Sequence, residues 1–249
     1  MNVNVEYCDP FNGLEDGFWM KVEHCGRYMW AAQWLKERRC KSAADIACAN
    51  GYGSRILSRM IGRVTAVDRN EDYLNKAEYD DSVQYICCDL DREPLPEEIN
   101  DTDAIVCFET LEHLQKPEAA VQAFFERLSD GGYLLLSVPN ARYELLDDEG
   151  KNKDPFHLHI FSPDTVRAFL ENAGFVIEEV MGQDICNRIV ARISELEKTG
   201  KIRQGEAEKL WGYDRKRIKL FAEILGKPES VNVEQSYSLI YICRKSRAQ

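Results

Sequence analysis

The sequence predicts a doubly wound α/β fold built on a seven-stranded sheet. Short β-rich runs alternate with helical stretches through the middle of the chain, and two further β-rich runs follow towards its end. Such alternation is typical of parallel strands joined by crossover helices. No internal repeat or low-complexity tract interrupts it. A chain of 249 residues has room for one such domain with a substantial insertion.

Apolar β-rich runs predict the strands, and the stretches between them predict the helices. The first five strands are expected over residues 43–47, 64–68, 83–88, 103–108 and 132–138, with helices over 54–61, 71–79 and 117–128. A further helix begins at Ser162-Pro163-Asp164, where serine is a favoured cap and proline suits the first turn, and it ends at Gly174. The last two strands are expected over 175–181 and 237–243.

Two segments lie outside this strand and helix pattern. About fifty residues before the last strand have helical periodicity, as at Ile185, Ile189 and Ile193. We therefore divide the chain into a core over 43–183, a helical insertion over 184–235, and a last strand and tail over 236–249. The aromatic-rich segment 1–42 is expected to be helical, either packing an apolar face on the sheet or capping the substrate.

Charge and cysteine content narrow the function classes. The formal net charge of −11 would repel a polyanion, so extended nucleic-acid binding is not expected. No apolar run approaches the roughly 20 residues of a membrane span, and no signal-peptide pattern is present, so we expect a cytoplasmic protein. The nine cysteines include no Cys-x-x-Cys pair, which indicates a reducing compartment. Oligomeric state is left open.

The stretch Asp45-Ile-Ala-Cys-Ala-Asn-Gly-Tyr-Gly53 joins the first predicted strand to a helix. Its small residues let a ligand approach the backbone, and the helix directs amide donors towards the ligand. Asp68 ends the second apolar run, where an acid can accept both ribose hydroxyls, and Asp89 follows the third. These acceptors suit a nucleoside ligand with amino and cationic groups. A nicotinamide-dependent dehydrogenase would need Gly-x-Gly-x-x-Gly in this turn.

Over nearly its whole length the chain resembles the class I, Rossmann-like S-adenosylmethionine-dependent methyltransferases. The stretch 45–53 is similar to their glycine-rich first motif, Asp68 to their ribose-binding acid, and Asp89 to their adenine contact. Phe108-Glu-Thr-Leu-Glu-His-Leu114 and 131–139 resemble the segments after the fourth strand and along the fifth. Ala47 and Ala49 stand where the family often has glycine, and their methyl groups narrow the space around the methionine end of the cofactor. The resemblance implies S-adenosylmethionine as cofactor, bound by Asp45, Ala47, Ala49, Gly51, Asp68, Arg69, Asp89, Leu90 and Phe108.

Histidines are the candidates for the proton of the methyl acceptor. Methyl transfer is an in-line displacement at a carbon activated by the sulfonium, so the enzyme mainly has to position the acceptor and take its proton. His113 follows the fourth predicted strand, while His157 and His159 precede the helix that covers the fifth. In an extended stretch the last two should share a face. We therefore predict His113, His157 and His159 as catalytic residues.

A divalent metal is the alternative to direct proton transfer. Glu109, Glu112 and His113 follow the spacing Glu-x-x-Glu-His, and His159 is available as a fourth ligand. This arrangement resembles the metal site of the 2′-O-methyltransferases that modify small-RNA 3′ ends. Glu-His is also widespread at this place in metal-independent small-molecule methyltransferases, so our leading expectation is an enzyme without a metal. A catalytically silent cofactor-binding regulatory protein is a further alternative.

The acceptor prediction rests on another resemblance. The segments 24–32, 46–54 and 156–175 are similar to bacterial methyltransferases of glycan and surface-polysaccharide assembly, which implies a hydroxyl acceptor on a sugar or another small molecule. Arg27 is suited to bind a phosphate or carboxylate, and Tyr28 and Trp19 to stack on a flat face, although all three are equally suited to the core. A nitrogen acceptor stays open. We predict Trp19, His24, Arg27, Tyr28 and Asn140 as acceptor-binding residues.

Overall fold

The computed structural model describes residues 10–11, 17–144, 146–147, 149–150, 152–207 and 214–246. Its centre is a seven-stranded sheet of order β3-β2-β1-β4-β5-β7-β6, in which β7 runs antiparallel to β5 and β6 and the other neighbours are parallel. This order confirms the predicted fold class. The strands are β1 (Ser42–Ile46), β2 (Arg63–Asp68), β3 (Val83–Cys87), β4 (Thr102–Phe108), β5 (Leu128–Pro139), β6 (Phe175–Gln183) and β7 (Ser238–Lys245).

Helices cover both faces of the sheet. Because successive strand residues point to opposite faces, Ala43 and Val106 pack with the first two helices, whereas Ala44 and Ile105 pack with the fourth and fifth. The near-continuous apolar strands are explained by this burial on both sides. The helices are α1 (Phe18–Glu37), α2 (Tyr52–Ile61), α3 (Glu71–Leu74), α4 (Pro117–Arg127), α5 (Pro163–Asn172), α6 (Ile185–Lys198) and α7 (Arg215–Leu225).

The helix α3 is shorter than the sequence predicts. It begins at an Asn70 cap, whose side chain accepts hydrogen bonds from the backbone of Asp72 and Tyr73, but it ends at Leu74 instead of residue 79. None of its residues is buried. Since short helices depend on tertiary packing for stability, a segment whose contact with the core is limited to partly buried side chains such as Leu74 has little to extend it.

The helix α1 is fixed in place by contacts with the C-terminal half of the chain. Gly26 lies directly against Gly226, where an added Cβ would come within 2.2 Å of the Gly226 carbonyl oxygen. Gln183, the last residue of β6, donates hydrogen bonds to the carbonyls of Glu23 and Gly226. The first helix therefore packs as a layer of the core. None of the described helices has the length and apolarity needed to cross a membrane.

Candidate active site

A cleft with an open volume of about 800 Å³ lies at the carboxyl ends of β1 to β4. Parallel sheets of this kind bind ligands at that edge. Seven of the predicted cofactor and catalytic residues line it: Ala47, Ala49, Asp68, Arg69, Asp89, Leu90 and His113. The lining also includes Asn70, Tyr73, Cys88 and Thr110, which were not predicted as site residues.

The loop after β1 is held by the acid at the end of β2. Asp68 accepts a hydrogen bond from the Ala49 backbone nitrogen at 2.8 Å through one oxygen and from the Asn70 nitrogen at 2.8 Å through the other. Ala47 and Ala49 have φ angles of 57° and 52°, in the left-handed region that favours glycine. The two alanines thus keep a glycine-like backbone path while placing methyl groups in the cleft.

Asp45 supports this loop from beneath and does not face the cleft. It is fully buried, and its two oxygens accept hydrogen bonds from the Tyr28 hydroxyl at 2.8 Å and the Ser54 hydroxyl at 2.6 Å. Burial raises the pKa of Asp45 to about 7, although both hydrogen bonds oppose this change. Both acceptor oxygens of Asp45 are thus engaged inside the fold, and its contact with the cofactor stays a prediction.

Gly51 and Phe108 also lie behind the cleft lining. Gly51 has a φ of 70° at the start of α2, and an added Cβ would come within 2.4 Å of the Tyr85 ring. Phe108 is buried, and its ring packs edge-on against Tyr28 with centroids 5.2 Å apart. Packing within the fold therefore occupies the Phe108 ring and the space beside Gly51, and the contact of either residue with the cofactor stays a prediction.

Asp89 lines the cleft with a partly exposed carboxylate. One oxygen accepts a hydrogen bond from the Asp91 nitrogen at 3.1 Å, and the other lies 3.3 Å from Nε of Arg92. Arg92 is itself largely exposed, so its ion pair with Asp89 is weak and easily exchanged for another donor. An amino group in the cleft can therefore compete for this carboxylate.

His113 lines the cleft and packs against a second histidine, His157, which is not among the lining residues. The rings of His113 and His157 pack edge-on with centroids 5.0 Å apart. His113 donates from Nδ1 to the Phe156 carbonyl at 2.8 Å, and His157 donates from Nδ1 to the Glu144 carboxylate at 2.9 Å. A hydrogen bond that fixes the proton on Nδ1 leaves Nε2 as the basic nitrogen of a neutral imidazole. Both side chains are thus arranged as proton acceptors.

Glu144 and His157 perturb each other's protonation. Burial disfavours the His157 imidazolium, but the hydrogen bond and charge of Glu144, with weaker contributions from Asp154 and Glu109, outweigh it and raise the pKa of His157. Burial acts against the Glu144 carboxylate, yet hydrogen bonds from His157 and Asn152 hold the pKa of Glu144 below its ordinary value. The two therefore form a carboxylate–imidazole pair. Glu144 lies in an acidic loop without a motif, so the sequence alone gave no signal for it.

The predicted four-residue metal set is wrong in two members. His159 donates from Nε2 to the Leu114 carbonyl at 2.8 Å and does not share a face with His157. Glu109 is engaged with Arg27 at 2.9 Å. Within the described part of the chain, the acidic and imidazole groups that come together are those of Glu112, His113 and His157, whose nearest such atoms all lie within 4.8 Å of one another.

Glu112 is a buried carboxyl group beside these histidines. Its side chain is 1% exposed, and neither oxygen has a hydrogen-bond partner among the described residues. One oxygen lies 3.8 Å from Nε2 of His113. Burial, with the charge of Glu109, raises the pKa of Glu112 well above its ordinary value. The neutral acid is therefore its favoured form.

Arg27 is a buried residue whose hydrogen bonds connect parts of the fold, and it is not an acceptor-binding residue. Its side chain is 2% exposed, and Nη1 lies 2.9 Å from Glu109 and 2.8 Å from the Ser137 hydroxyl. Nε and Nη2 donate to Gln183 at 2.8 and 2.6 Å, and Nη2 also reaches Ser238 at 3.1 Å. With its donors used inside the fold, it has none to offer an acceptor's anionic group. The prediction for Arg27 is therefore wrong.

Tyr28 and Asn140 are likewise committed to the fold. The Tyr28 hydroxyl bonds Asp45, and its ring occupies the space that a Cβ on Gly53 would need. Asn140 is buried and donates to two backbone carbonyls of the segment before β7, those of Glu234 and Ser236, at 3.2 and 3.0 Å. Neither presents a surface to an acceptor, which corrects both predictions.

His24 and Trp19 are similarly placed against α2 and α7. Nδ1 of His24 lies 3.2 Å from the Tyr52 hydroxyl, and burial lowers the pKa of His24 to about 4. The Trp19 ring packs edge-on against Phe221 of α7 with centroids 5.8 Å apart. Neither residue lines the cleft. Their predicted acceptor role is corrected, since packing of α1 accounts for both.

Comparison with known proteins shows the family of this chain. A family model described as a methyltransferase domain matches residues 29–180, more than half of the chain. The chain belongs to the methyltransferase-domain family. This confirms the resemblance to S-adenosylmethionine-dependent methyltransferases that the motifs indicated.

Three relatives illustrate the similarity. The chain is 28% identical over 171 residues to a Mycolicibacterium smegmatis protein named "Probable S-adenosylmethionine-dependent methyltransferase", covering 68% of this chain and 63% of that one. It is 26% identical over 156 residues to the mitochondrial ubiquinone biosynthesis O-methyltransferase of Schizosaccharomyces pombe, covering 55% of this chain and 56% of that one. The chain thus spans less than two thirds of both relatives. The crystal structure of an S-adenosylmethionine-dependent methyltransferase from Mesorhizobium loti superposes on this chain with a TM-score of 0.55 at 19% identity. The superposition covers 88% of this chain and 98% of that one, and it supports the fold alone.

Proposed function

We propose that this protein transfers the methyl group of S-adenosylmethionine to a hydroxyl oxygen of a small molecule, with a sugar among the candidate acceptors. The observation that carries the proposal is a single cleft with Asp68 at one end and His113 at the other. The first is suited to accept the ribose hydroxyls of the cofactor, and the second to take a proton from an acceptor. The cofactor, when bound, supplies an activated methyl carbon.

The residues of the cleft fit an adenosyl ligand. Asp68 and Asp89 offer carboxylate acceptors to the ribose and to an amino group, and Leu90 and Val67 offer apolar contacts between them. No pyrophosphate cradle is required of the loop after β1, where Ala47 and Ala49 replace the glycines of a dinucleotide site.

An oxygen acceptor is supported by the two histidines and by relatives. A hydroxyl must lose its proton as the new bond forms, and imidazoles with a fixed Nδ1 proton are suited to accept it. Several relatives of 25 to 28% identity are named as ubiquinone biosynthesis O-methyltransferases. Their names describe oxygen methylation on a small molecule.

The first experiment is calorimetric titration with S-adenosylmethionine and S-adenosylhomocysteine, with NAD as control. We expect both adenosyl ligands to bind and NAD not to bind. Asp68→Ala should weaken adenosyl binding, because up to two charge-assisted hydrogen bonds of about 1.5 to 3 kcal/mol each are lost. Absence of adenosyl binding in the unmodified protein would overturn the proposal.

The second experiment identifies the acceptor with methyl-labelled S-adenosylmethionine. Catechols, simple phenols, sugars, amines and an RNA with a free 3′ end are offered in parallel, with EDTA or with added Mg²⁺ or Mn²⁺. Labelled oxygen ethers formed in EDTA support the proposal. Transfer to an RNA 3′ end that requires metal would favour the RNA-end alternative, and cofactor binding without any transfer would favour a regulatory protein. His113→Ala should slow transfer while leaving cofactor binding unchanged.

A further inference from the structure

A buried carboxyl group without a hydrogen-bond partner lies beside two imidazole rings near the His113 end of the cleft. Both side-chain oxygens of Glu112 are buried, and neither has a hydrogen-bond partner among the described residues. One of these oxygens lies 3.8 Å from Nε2 of His113. A ring nitrogen of His157 completes a set of three atoms that all lie within 4.8 Å of one another. Since buried polar groups normally have partners, the Glu112 carboxyl group indicates a ligand in this space.

The two histidines are held in the way that metal-binding histidines are held. His113 donates from Nδ1 to the Phe156 carbonyl at 2.8 Å, and His157 donates from Nδ1 to the Glu144 carboxylate at 2.9 Å. A histidine that binds a metal through one ring nitrogen almost always donates the other to a carbonyl or carboxylate, which fixes the tautomer. In both rings, Nε2 is therefore the nitrogen that carries the lone pair.

The backbone already holds the three side chains close together. Glu112 and His113 belong to the short turn after β4, and the Glu112 carbonyl accepts hydrogen bonds from the Leu158 nitrogen at 2.7 Å and the His159 nitrogen at 3.2 Å. His157 directly precedes these two donors. In a tetrahedral zinc site with bonds of about 2.0 to 2.2 Å, ligand atoms are about 3.3 to 3.6 Å apart. The side chains therefore need to close by about 1 Å from their present separations.

Carboxylates surround the place where a positive ion would lie. Asp154 has a carboxylate oxygen 3.9 Å from Nε2 of His157, close enough to offer a fourth ligand. Glu144 adds a carboxylate on the other side of the same ring. Glu112 supplies a third when a metal displaces its proton, because the ligand form of this side chain is the carboxylate.

We propose that Glu112, His113 and His157 bind a divalent transition-metal ion such as Zn²⁺, and that this ion occupies the His113 nitrogen needed for proton transfer. Two imidazoles and one carboxylate suit zinc and its transition-metal neighbours, whereas Mg²⁺ and Ca²⁺ prefer oxygen ligands. The ion is therefore an inhibitor of methyl transfer. The inhibition rests on the proposed function, whereas the site itself does not.

The position of the site favours inhibition over metal-assisted catalysis. His113 lines the cleft, whereas Glu112 and His157 are not among the lining residues. With two of its three ligands behind the cleft wall, the ion is held behind that wall and away from an acceptor oxygen. A His113 lone pair that is bonded to a metal cannot accept a proton, so binding removes the base from the cleft.

The first test measures metal binding without acceptor or cofactor. Metal is removed with EDTA, the protein is exchanged into buffer without chelator, and Zn²⁺ is titrated near neutral pH in competition with a chromophoric chelator. All proteins carry Cys87→Ser, because Cys87 is an exposed thiol and thiolates bind zinc. We expect one zinc ion per chain to bind at this site.

Variants of the site locate the bound ion. Glu144→Gln, which removes only the partner of a ligand, should weaken zinc binding about 10- to 100-fold. Glu112→Gln and His157→Gln each remove a ligand and should weaken it further. Glu118→Gln, the same substitution at an exposed position of α4, should leave the affinity unchanged. The two ligand variants lie in different segments, and circular dichroism checks that each is folded. No zinc binding, or an affinity that neither ligand variant lowers, would overturn the inference.

The second test identifies the ligand nitrogens by NMR. Long-range ¹H–¹⁵N spectra report the two nitrogens of each imidazole separately, and His113→Asn and His157→Gln assign the signals. On addition of Zn²⁺, the Nε2 signals of both histidines should move while both Nδ1 atoms stay protonated. An Nε2 signal of His113 that stays in place at saturating zinc would overturn the inference.

The third test uses the oxygen acceptor found with labelled cofactor. Transfer is measured in EDTA and at rising free Zn²⁺, and each rate is divided by the rate of the same protein in EDTA. Saturating zinc should lower the rate at least about 100-fold, the usual contribution of a general base, with half-inhibition at the Kd of the first test. In Glu144→Gln, half-inhibition should shift by the same factor as the affinity.

Two outcomes of the third test have separate meanings. A rate that saturating zinc leaves unchanged or increases would overturn the inhibition. Absence of transfer to any hydroxyl in EDTA would overturn the proposed function, while the first two tests still decide the metal site, since they use neither acceptor nor cofactor.

Discussion

The buried guanidinium of Arg27 gives the sharpest test of the fold beneath the site. Its replacement by methionine keeps an apolar stem of similar length but removes the ion pair of 2.9 Å with Glu109 and the bonds to Ser137, Gln183 and Ser238. Breaking a buried pair from one side leaves a charge without compensation, which costs about 3 to 5 kcal/mol. We expect Arg27→Met to lower the free energy of unfolding by this amount.

Urea denaturation followed by circular dichroism measures the effect. In the double variant Arg27→Met with Glu109→Gln, much of the loss should be recovered, because the uncompensated carboxylate is gone. Arg167→Met is the matched control. Arg167 forms an ion pair of 3.4 Å with Glu171 in which both side chains are about half exposed, so its loss should cost under about 1 kcal/mol. A cost below about 1 kcal/mol for Arg27→Met would refute the assignment of Arg27 to the fold and return it to the list of acceptor ligands.

Three further predictions concern the loop and the buried polar groups. Ala49→Gly should raise the free energy of unfolding by up to about 1.5 kcal/mol, since the relief of left-handed backbone strain exceeds the entropy that glycine adds to the unfolded chain. A fall of more than about 1 kcal/mol in the free energy of unfolding, measured in urea, would contradict this. Tyr28→Phe should cost about 1 to 3 kcal/mol in the same assay by removing a donor from buried Asp45, so an unchanged midpoint would argue against that bond. Burial raises the pKa of Glu23 to about 7, so the contribution of Glu23 to stability is lost as pH rises from about 4.5 towards 7. The free energy of unfolding of Glu23→Gln should therefore rise relative to that of the unmodified protein between pH 5 and pH 8. A difference between the two proteins that does not change with pH would contradict the raised pKa.

The framework of this fold could be predicted because its signals are local. Each buried strand is a short apolar run, and Asp68 ends one of them at the position where a doubly wound sheet binds its ligand. The α3 helix is shorter than predicted because the packing that would carry it beyond Leu74 is set by the folded chain and not by the local sequence.

The acceptor side could not be predicted because its contacts are distant in sequence. Arg27 forms hydrogen bonds with Gln183, which is 156 residues away in the sequence, and no sequence pattern near either residue predicts this contact. Residue type states what a side chain can bind but not which way it points, so a buried arginine and a ligand-binding one look alike. His159 failed for a related reason. The alternation of an extended strand was applied to a loop, in which His157 turns towards Glu144 and His159 towards the backbone of Leu114.

The contact between α1 and the turn after α7 has a consequence for synthesis. Gly26 and Gly226 are 200 residues apart, so at about 5 to 20 residues per second the ribosome needs about 10 to 40 s to supply the partner of a helix already made. Throughout this interval the apolar side of α1, with Val22 and Leu35, has no completed sheet or α7 to cover it. The nascent chain therefore exposes the apolar side of α1 for most of its translation. The yield of folded protein in cells should depend on chaperones that bind such apolar helices until the last strand emerges.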